Sequence, residues 1–154
     1  KSRWMGNARI EMDSDVVQSG RFSLQVLLNT SKYSGTSLKY FPGNWQGYGT
    51  LFFAVYNPSS APVQITCRIH DRLHTQGKQY YSDRFNKTFR IKEGWNPVLI
   101  DLEEVANAPK TRKMDMSDIW GLGIFVVQLP KPRTVYLDNV RLLKKGEVIH
   151  EGLK

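Results

Sequence analysis

The sequence is poor in the residues that most quickly fix a chemistry. Its one cysteine, Cys67, excludes an internal disulfide, and a zinc site would need other ligand types at a suitable spacing. It has three histidines, His70, His74 and His150. No G-x-S-x-G elbow, P-loop or H-E-x-x-H occurs, so the common nucleophile, nucleotide and zinc-protease signatures are missing. No apolar run approaches the roughly 20 residues of a membrane helix, so membrane insertion is not expected. Acids are scarce as well: 14 Asp and Glu against 22 Lys and Arg give a net charge of +8. That surplus admits nucleic acid, anionic glycans or acidic surfaces as partners. Its densest clusters are Lys110, Arg112 and Lys113, and Lys144-Lys145. Neither carries interleaved aromatics for base stacking, which argues for a basic solvated surface and against a nucleic-acid partner.

What is present is short alternation between turn signals. The 154 residues suit one domain, and 40% hydrophobic content with a mean hydropathy of -0.44 is globular composition. "FSLQVLLN" puts Phe22, Leu24, Val26 and Leu28 on one face. "VQITCRIHD" puts Val63, Ile65, Cys67 and Ile69 on one face, with Arg68 and His70 opposite. "TLFFAVYN" and "GLGIFVVQL" are apolar on both faces, as in strands covered on both sides. Gly and Pro punctuation separates about ten candidate strands, which predicts an all-β, two-sheet antiparallel β-sandwich of jelly-roll type. "DLEEVANAP" predicts a short helix between Asp101 and Pro109. The expected domain spans 1–145, and 146–154 reads as a polar tail or linker. Because residue 1 is Lys, the sequence is expected to be a fragment or a processed chain.

The richest polar constellation is "HDRLHTQGKQYYSDRFN", with His70, Asp71, Tyr80, Tyr81, Asp83, Arg84 and Asn86. Aromatic rings meet the C–H faces of sugars, and Asp, Asn, Arg and His meet their hydroxyls. If Phe85 is core, Tyr80, Arg84 and Asn86 emerge beside Arg68 and His70. A plain hairpin with local ion pairs is the structural alternative. His70 and His74 would share a metal only on a helix, and the strand pattern before them argues against one; solvent-facing strand-end histidines are expected. In "FPGNWQGYGTL", Trp45 is either a stacking platform or a plug at the sandwich end, and it stands among the ligand-binding candidates. Trp95 heads an alternating strand and reads as core.

In "YLDNVRLLKKG", Tyr136, Val140 and Leu142 share a phase with Asp138, which places a carboxylate among apolar neighbours. Together with "SGRFSLQV", "FPGNWQGYGTLFFAVYNPSSAPVQITCRIHD", "DRFNKTFRIKEGWNPVLIDL" and "APKTRKMDMSDIWGLGIF", this stretch resembles carbohydrate-binding modules of the galactose-binding-domain-like superfamily, over Arg9 to Leu143. The resemblance implies a β-jelly roll that is non-catalytic and binds polysaccharide or oligosaccharide. It implies attachment to a neighbouring catalytic or surface domain, as a monomer in an extracellular, periplasmic or cell-surface setting. It also implies a structural calcium, with Asp138 as a ligand and Glu11, or Asp13, substituting for the N-terminal partner. The rival account of Asp138 is a β-bulge that turns the carboxylate to solvent or to Arg141.

The expected ligand-binding set is therefore Arg68, His70, Asp71, Tyr80, Arg84, Asn86 and Trp45, with Asp138 and Glu11 as metal ligands and no catalytic residue. Two other functions fit the same pattern. One is a structural or protein-interaction accessory sandwich, expected to have a crowded outer sheet without exposed aromatics. The other is a small jelly-roll lyase or esterase, which needs His70, Tyr80, Arg84 and a carboxylate to converge.

Overall fold

Alternating side chains of ten strands build two antiparallel five-stranded sheets packed face to face. The computed structural model describes residues 4–147. In the front sheet the order is β1 (Trp4–Met5), β4 (Tyr33–Leu38), β9 (Ile119–Val127), β6 (Val63–Asp71) and β7 (Phe85–Ile91). The back sheet runs β2 (Arg9–Asp13), β3 (Ser23–Leu28), β10 (Arg133–Lys144), β5 (Tyr48–Asn57) and β8 (Gly94–Asp101). This is the predicted all-β sandwich. The expected tail, 146–154, lies outside the described residues from 148 onward.

The period-2 pattern fixes the core. Val63, Ile65, Cys67 and Ile69 of β6 point inward, as do Leu122, Ile124 and Val126 of β9. They meet Leu24, Val26 and Leu28 of β3 and Leu51, Phe53 and Val55 of β5. Burial pushes the Cys67 thiol far above its ordinary range, as expected of an inert core residue. Phe22 precedes β3 and is 52% exposed, outside the face predicted for it.

The other face of β5 is covered locally. Phe52 and Ala54 pack with Leu143 and Trp95 on the outside of the back sheet, under the Arg141 guanidinium 5.6 Å from the Phe52 ring. Trp95 belongs to this satellite cluster and not to the main core. β8 turns Asn96, Val98 and Ile100 inward, which leaves Trp95 facing out beside Tyr56 at 5.2 Å.

β10 changes phase midway. Its register with β5 shifts between Asp138 and Arg141, and Asn139 takes a positive φ of 57°. Before the shift Tyr136 faces outward against Tyr56; after it Val140 and Leu142 pack on the main core. The common face expected for Tyr136, Val140 and Leu142 is broken by that bulge.

Two short helices cap the sandwich. α2 (Leu102–Asn107) occupies the predicted segment, with the Asp101 carboxylate accepting from the Glu103 amide at 2.9 Å. α1 (Arg72–Gln76) was not expected. Asp71 caps it by accepting from the His74 amide at 2.9 Å, and Gly77 closes it.

Candidate functional site: a glycine-floored groove on the front sheet

The outer face of the front sheet is assembled by register. One row across the strands runs Met5, Ser37, Gly123, Arg68 and Asn86. The row beside it runs Gly35, Phe125, Thr66 and Thr88; on the other side His70 stands opposite Gly121. Phe85 is buried, so Arg84 and Asn86 emerge beside Arg68 and His70.

Three glycines, Gly35, Gly121 and Gly123, stand where side chains would otherwise crowd this face, and the His70 ring and the Arg68 guanidinium lie over the last two. A Cβ on Gly35 would strike the β9 backbone, 2.1 Å from the Ile124 carbonyl oxygen. One on Gly123 would stand 3.0 Å from Arg68 Nη2, so the Arg68 side chain lies across that strand. The resulting groove has a volume of 360 Å³ and is lined by Tyr33, Gly35, Ser37, Arg68, Arg84, Gly123 and Phe125 among others. Tyr33 is 57% exposed and meets Phe125 edge-to-face at 6.0 Å, which makes an aromatic wall. On the opposite side Arg84 Nε donates to Asn86 Oδ1 at 3.1 Å, and its guanidinium stands 5.3 Å from the Tyr81 ring.

The electrostatics are one-signed. Arg68 Nε and His70 Nδ1 are buried without a hydrogen-bond partner. Burial, with the charges of Arg68, His74, Arg84 and Lys39 added, brings the His70 pKa down to about 4, so its ring is neutral at neutral pH. Burial and the neighbouring Arg84 charge lower the Arg68 pKa too.

At the end of β6, just past His70, lies a closed ionic network. Asp71 is fully buried and takes two bonds from Arg112, at 2.7 and 2.9 Å, plus the amides of Asp115 and His74. Burial opposes its charge, but those donors outweigh it and hold the pKa at about 2. Arg112 also binds Asp83 at 2.9 Å, and Asp83 reaches His74 Nδ1 at 3.2 Å. His74 is thus buried and paired, not solvent-facing, because α1 folds it under the sheet.

Of the expected ligand-binding residues, Arg68, His70, Arg84 and Asn86 come together. Asp71 does not: every contact it makes is internal. Trp45 is 3% exposed, donates from Nε1 to the Pro42 carbonyl at 3.1 Å and packs on Phe41, so it plugs the sandwich and offers no platform. Tyr80 is exposed but precedes the 3₁₀ turn Tyr81–Asp83 and does not line the groove. Tyr33, Ser37, Phe125 and the three glycines were missed. Their signal was the alternate spacing of Gly121 and Gly123 inside an apolar strand, a mark of close approach above the sheet.

The two residues expected to hold calcium, Asp138 and Glu11, lie on strands separated by β3, and each has other partners. Asp138 Oδ2 accepts from the Gln18 and Ser19 amides at 2.9 and 3.0 Å, and Oδ1 accepts from the Asn139 amide at 2.7 Å. Three N–H donors thus already engage this carboxylate, two on one oxygen and one on the other. Glu11 lies two strands away and is paired with Arg9 at 2.7 Å; Asp13 accepts from the Asp15 and Val16 amides. Among the described residues no cluster of three acidic, His or Cys side chains is placed to hold a metal. The bulge expected as the rival account is present, but the carboxylate ties down the 14–22 loop and does not turn to Arg141.

No protein-family model matches the sequence, and no curated protein matches it. Solved structures do. A family 11 carbohydrate-binding module from Clostridium thermocellum, in complex with a β-1,3-1,4-mixed-linked tetrasaccharide, superposes with a TM-score of 0.68 at 13% identity, over 92% of this chain and 89% of that one. The two chains share a jelly-roll fold. A family 30 module of a cellulosomal cellulase of the same organism gives a TM-score of 0.64 at 16% identity, covering 93% and 89% of the two chains. An exo-β-agarase gives 0.73 at 17% identity, covering 94% of this chain; this chain spans only 23% of the agarase.

Proposed function

We propose that this jelly roll is a non-catalytic module that binds a polysaccharide or oligosaccharide across the outer face of its front sheet. The observation that carries the reading is a groove with Gly35 and Gly123 in its floor, between an aromatic wall, Tyr33 and Phe125, and the polar side of Arg68 and Arg84. A pyranose ring presents C–H faces to such a wall and hydroxyls to such donors. The solved module with a bound mixed-linked tetrasaccharide has the same fold, and that supports the ligand class.

The accessory-domain reading calls for a crowded face without exposed aromatics, and Tyr33 argues against it. The lyase or esterase reading calls for a carboxylate beside His70 and Arg84. Asp71 and Asp83 are both spent on Arg112, and Tyr80 stands outside the groove. A face that offers hydrogen bonds but no acid–base pair suits holding a glycan more than cleaving one. Because one neighbour in fold is a segment of an agarase, we place this domain beside a catalytic or surface domain, in an extracellular, periplasmic or cell-surface setting.

Affinity electrophoresis against a panel containing mixed-linked β-glucan, agarose and charged polysaccharides tests the proposal. At least one polysaccharide retards the protein, no new reducing ends or unsaturated products appear, and Tyr33→Ala with Phe125→Ala abolishes the retardation without unfolding. Failure of every polysaccharide to retard it, or turnover abolished by one substitution, overturns the reading.

A further inference from the structure

We infer that the groove takes an anionic sugar, with a ring carboxylate or sulfate seated on Arg68 and Arg84. This rests on the glycan-binding reading and names the substrate class of that same site.

The argument begins with the missing counter-charge. Arg68 and Arg84 line the same groove, near enough that the charge of one disfavours that of the other. The nearby acids are engaged elsewhere: Asp71 and Asp83 with Arg112, Asp118 with Arg72, Glu104 with Lys87. Among the described residues, no carboxylate pairs with either groove arginine. A half-buried guanidinium with an unpartnered Nε is costly, and two side by side cost more, unless a ligand supplies the charge.

The balance of donors and acceptors points the same way. A neutral sugar offers hydroxyls, which need acceptors as well as donors. Beyond the Tyr33 and Ser37 hydroxyls, side-chain acceptors here are few. Asn86 Oδ1 is taken by Arg84, and the Thr66 and Thr88 hydroxyls pair with each other at 2.9 Å. What the groove presents is planar, bidentate guanidinium, the group that matches carboxylate and sulfate oxygens. Lys39 adds positive potential from the side of His70. Tyr33 and Phe125 supply a face for the ring that bears the anion. A phosphodiester backbone would meet the same guanidiniums. One aromatic wall, with no run of rings for successive bases among the lining residues, favours a saccharide.

The test pairs polysaccharides that share a backbone and differ in charge: κ-carrageenan against its desulfated form, and polygalacturonate against its methyl ester. At least one anionic member binds ten-fold or more tighter than its neutral partner, and the difference shrinks with added salt. Arg68→Gln and Arg84→Gln each remove that preference while the melting temperature holds or rises, because neither residue has a partner acid to lose. Lys144→Gln with Lys145→Gln, which removes two charges elsewhere, leaves the preference intact. Equal binding of neutral and anionic partners overturns the inference but leaves glycan binding standing. Preference lost equally in the Lys144/Lys145 variant reduces it to net charge and overturns it. Single-stranded DNA retarded as strongly as the best glycan overturns the saccharide assignment. Absence of binding to every polysaccharide, neutral or charged, is the separate failure of the function proposed above.

Discussion

His70 lies flat against Gly121, so closely that a Cβ there would stand 2.1 Å from His70 Cε1. The glycine makes room for the imidazole, which shares the outer face of β6 with Arg68. Sequence position alone does not link them; the β6–β9 register does.

Gly121→Ala tests that relationship. The added methyl forces the ring off its seat at a cost of about 1–3 kcal/mol, the range for overpacking a well-filled site. Glycan affinity falls with stability, and His70→Ala in the same chain recovers most of the melting temperature. A single mutant as stable as the parent would show that the ring is free to swing away.

His70 and Asp71 are neighbours that titrate in different windows. The His70 pKa is depressed from 6.5 to about 4, so the unfolded chain binds its proton first. Stability therefore falls as pH drops from 6.5 toward 4. Asp71 is depressed from 3.8 to about 2, and its contribution is lost only as pH falls through that lower range. Urea denaturation between pH 7 and 3 shows the first loss in the parent. His70→Phe removes the loss above pH 4, and an unchanged slope in that variant contradicts the assignment.

Arg112 binds a fully buried carboxylate and a second acid at once. Arg112→Met leaves Asp71 charged and unpaired, at a cost of about 3–5 kcal/mol. Asp71→Asn added to it restores part of that loss. Chemical denaturation of the two variants measures both steps, and a parent-like midpoint in the single mutant would mean that solvent replaces the pair.

Asp138→Ala leaves the amides of Gln18, Ser19 and Asn139 without their acceptor. The expected cost is about 2 kcal/mol, within the range for unsatisfied part-buried donors. With three N–H groups already on the carboxylate and Glu11 paired with Arg9, EDTA leaves the parent melting temperature unchanged and added calcium does not raise it. A chelator-sensitive melt in the parent that disappears in the mutant would restore calcium to this position.

Alternation is a local property, and so the sequence determined the strands and most of the core. Ile65, Cys67 and Ile69 had to face one way and Arg68 and His70 the other, because adjacent side chains on a strand point apart. α2 was legible from Asp101 and Pro109. Phase and partnership were decided elsewhere. The bulge after Asp138 reverses the face of β10, and a one-residue shift inverts every side chain beyond it. Trp45 and Asp71 have the residue types of a sugar site, yet tertiary packing buries one beside Phe41 and commits the other to Arg112. Tyr33 and Phe125 lie 92 positions apart and form a wall only because β4 pairs with β9 and Gly35 lets the two backbones close. Side-chain direction follows from the chain's own geometry. The groove follows from which strands lie side by side, and that is set by contacts between residues far apart in sequence.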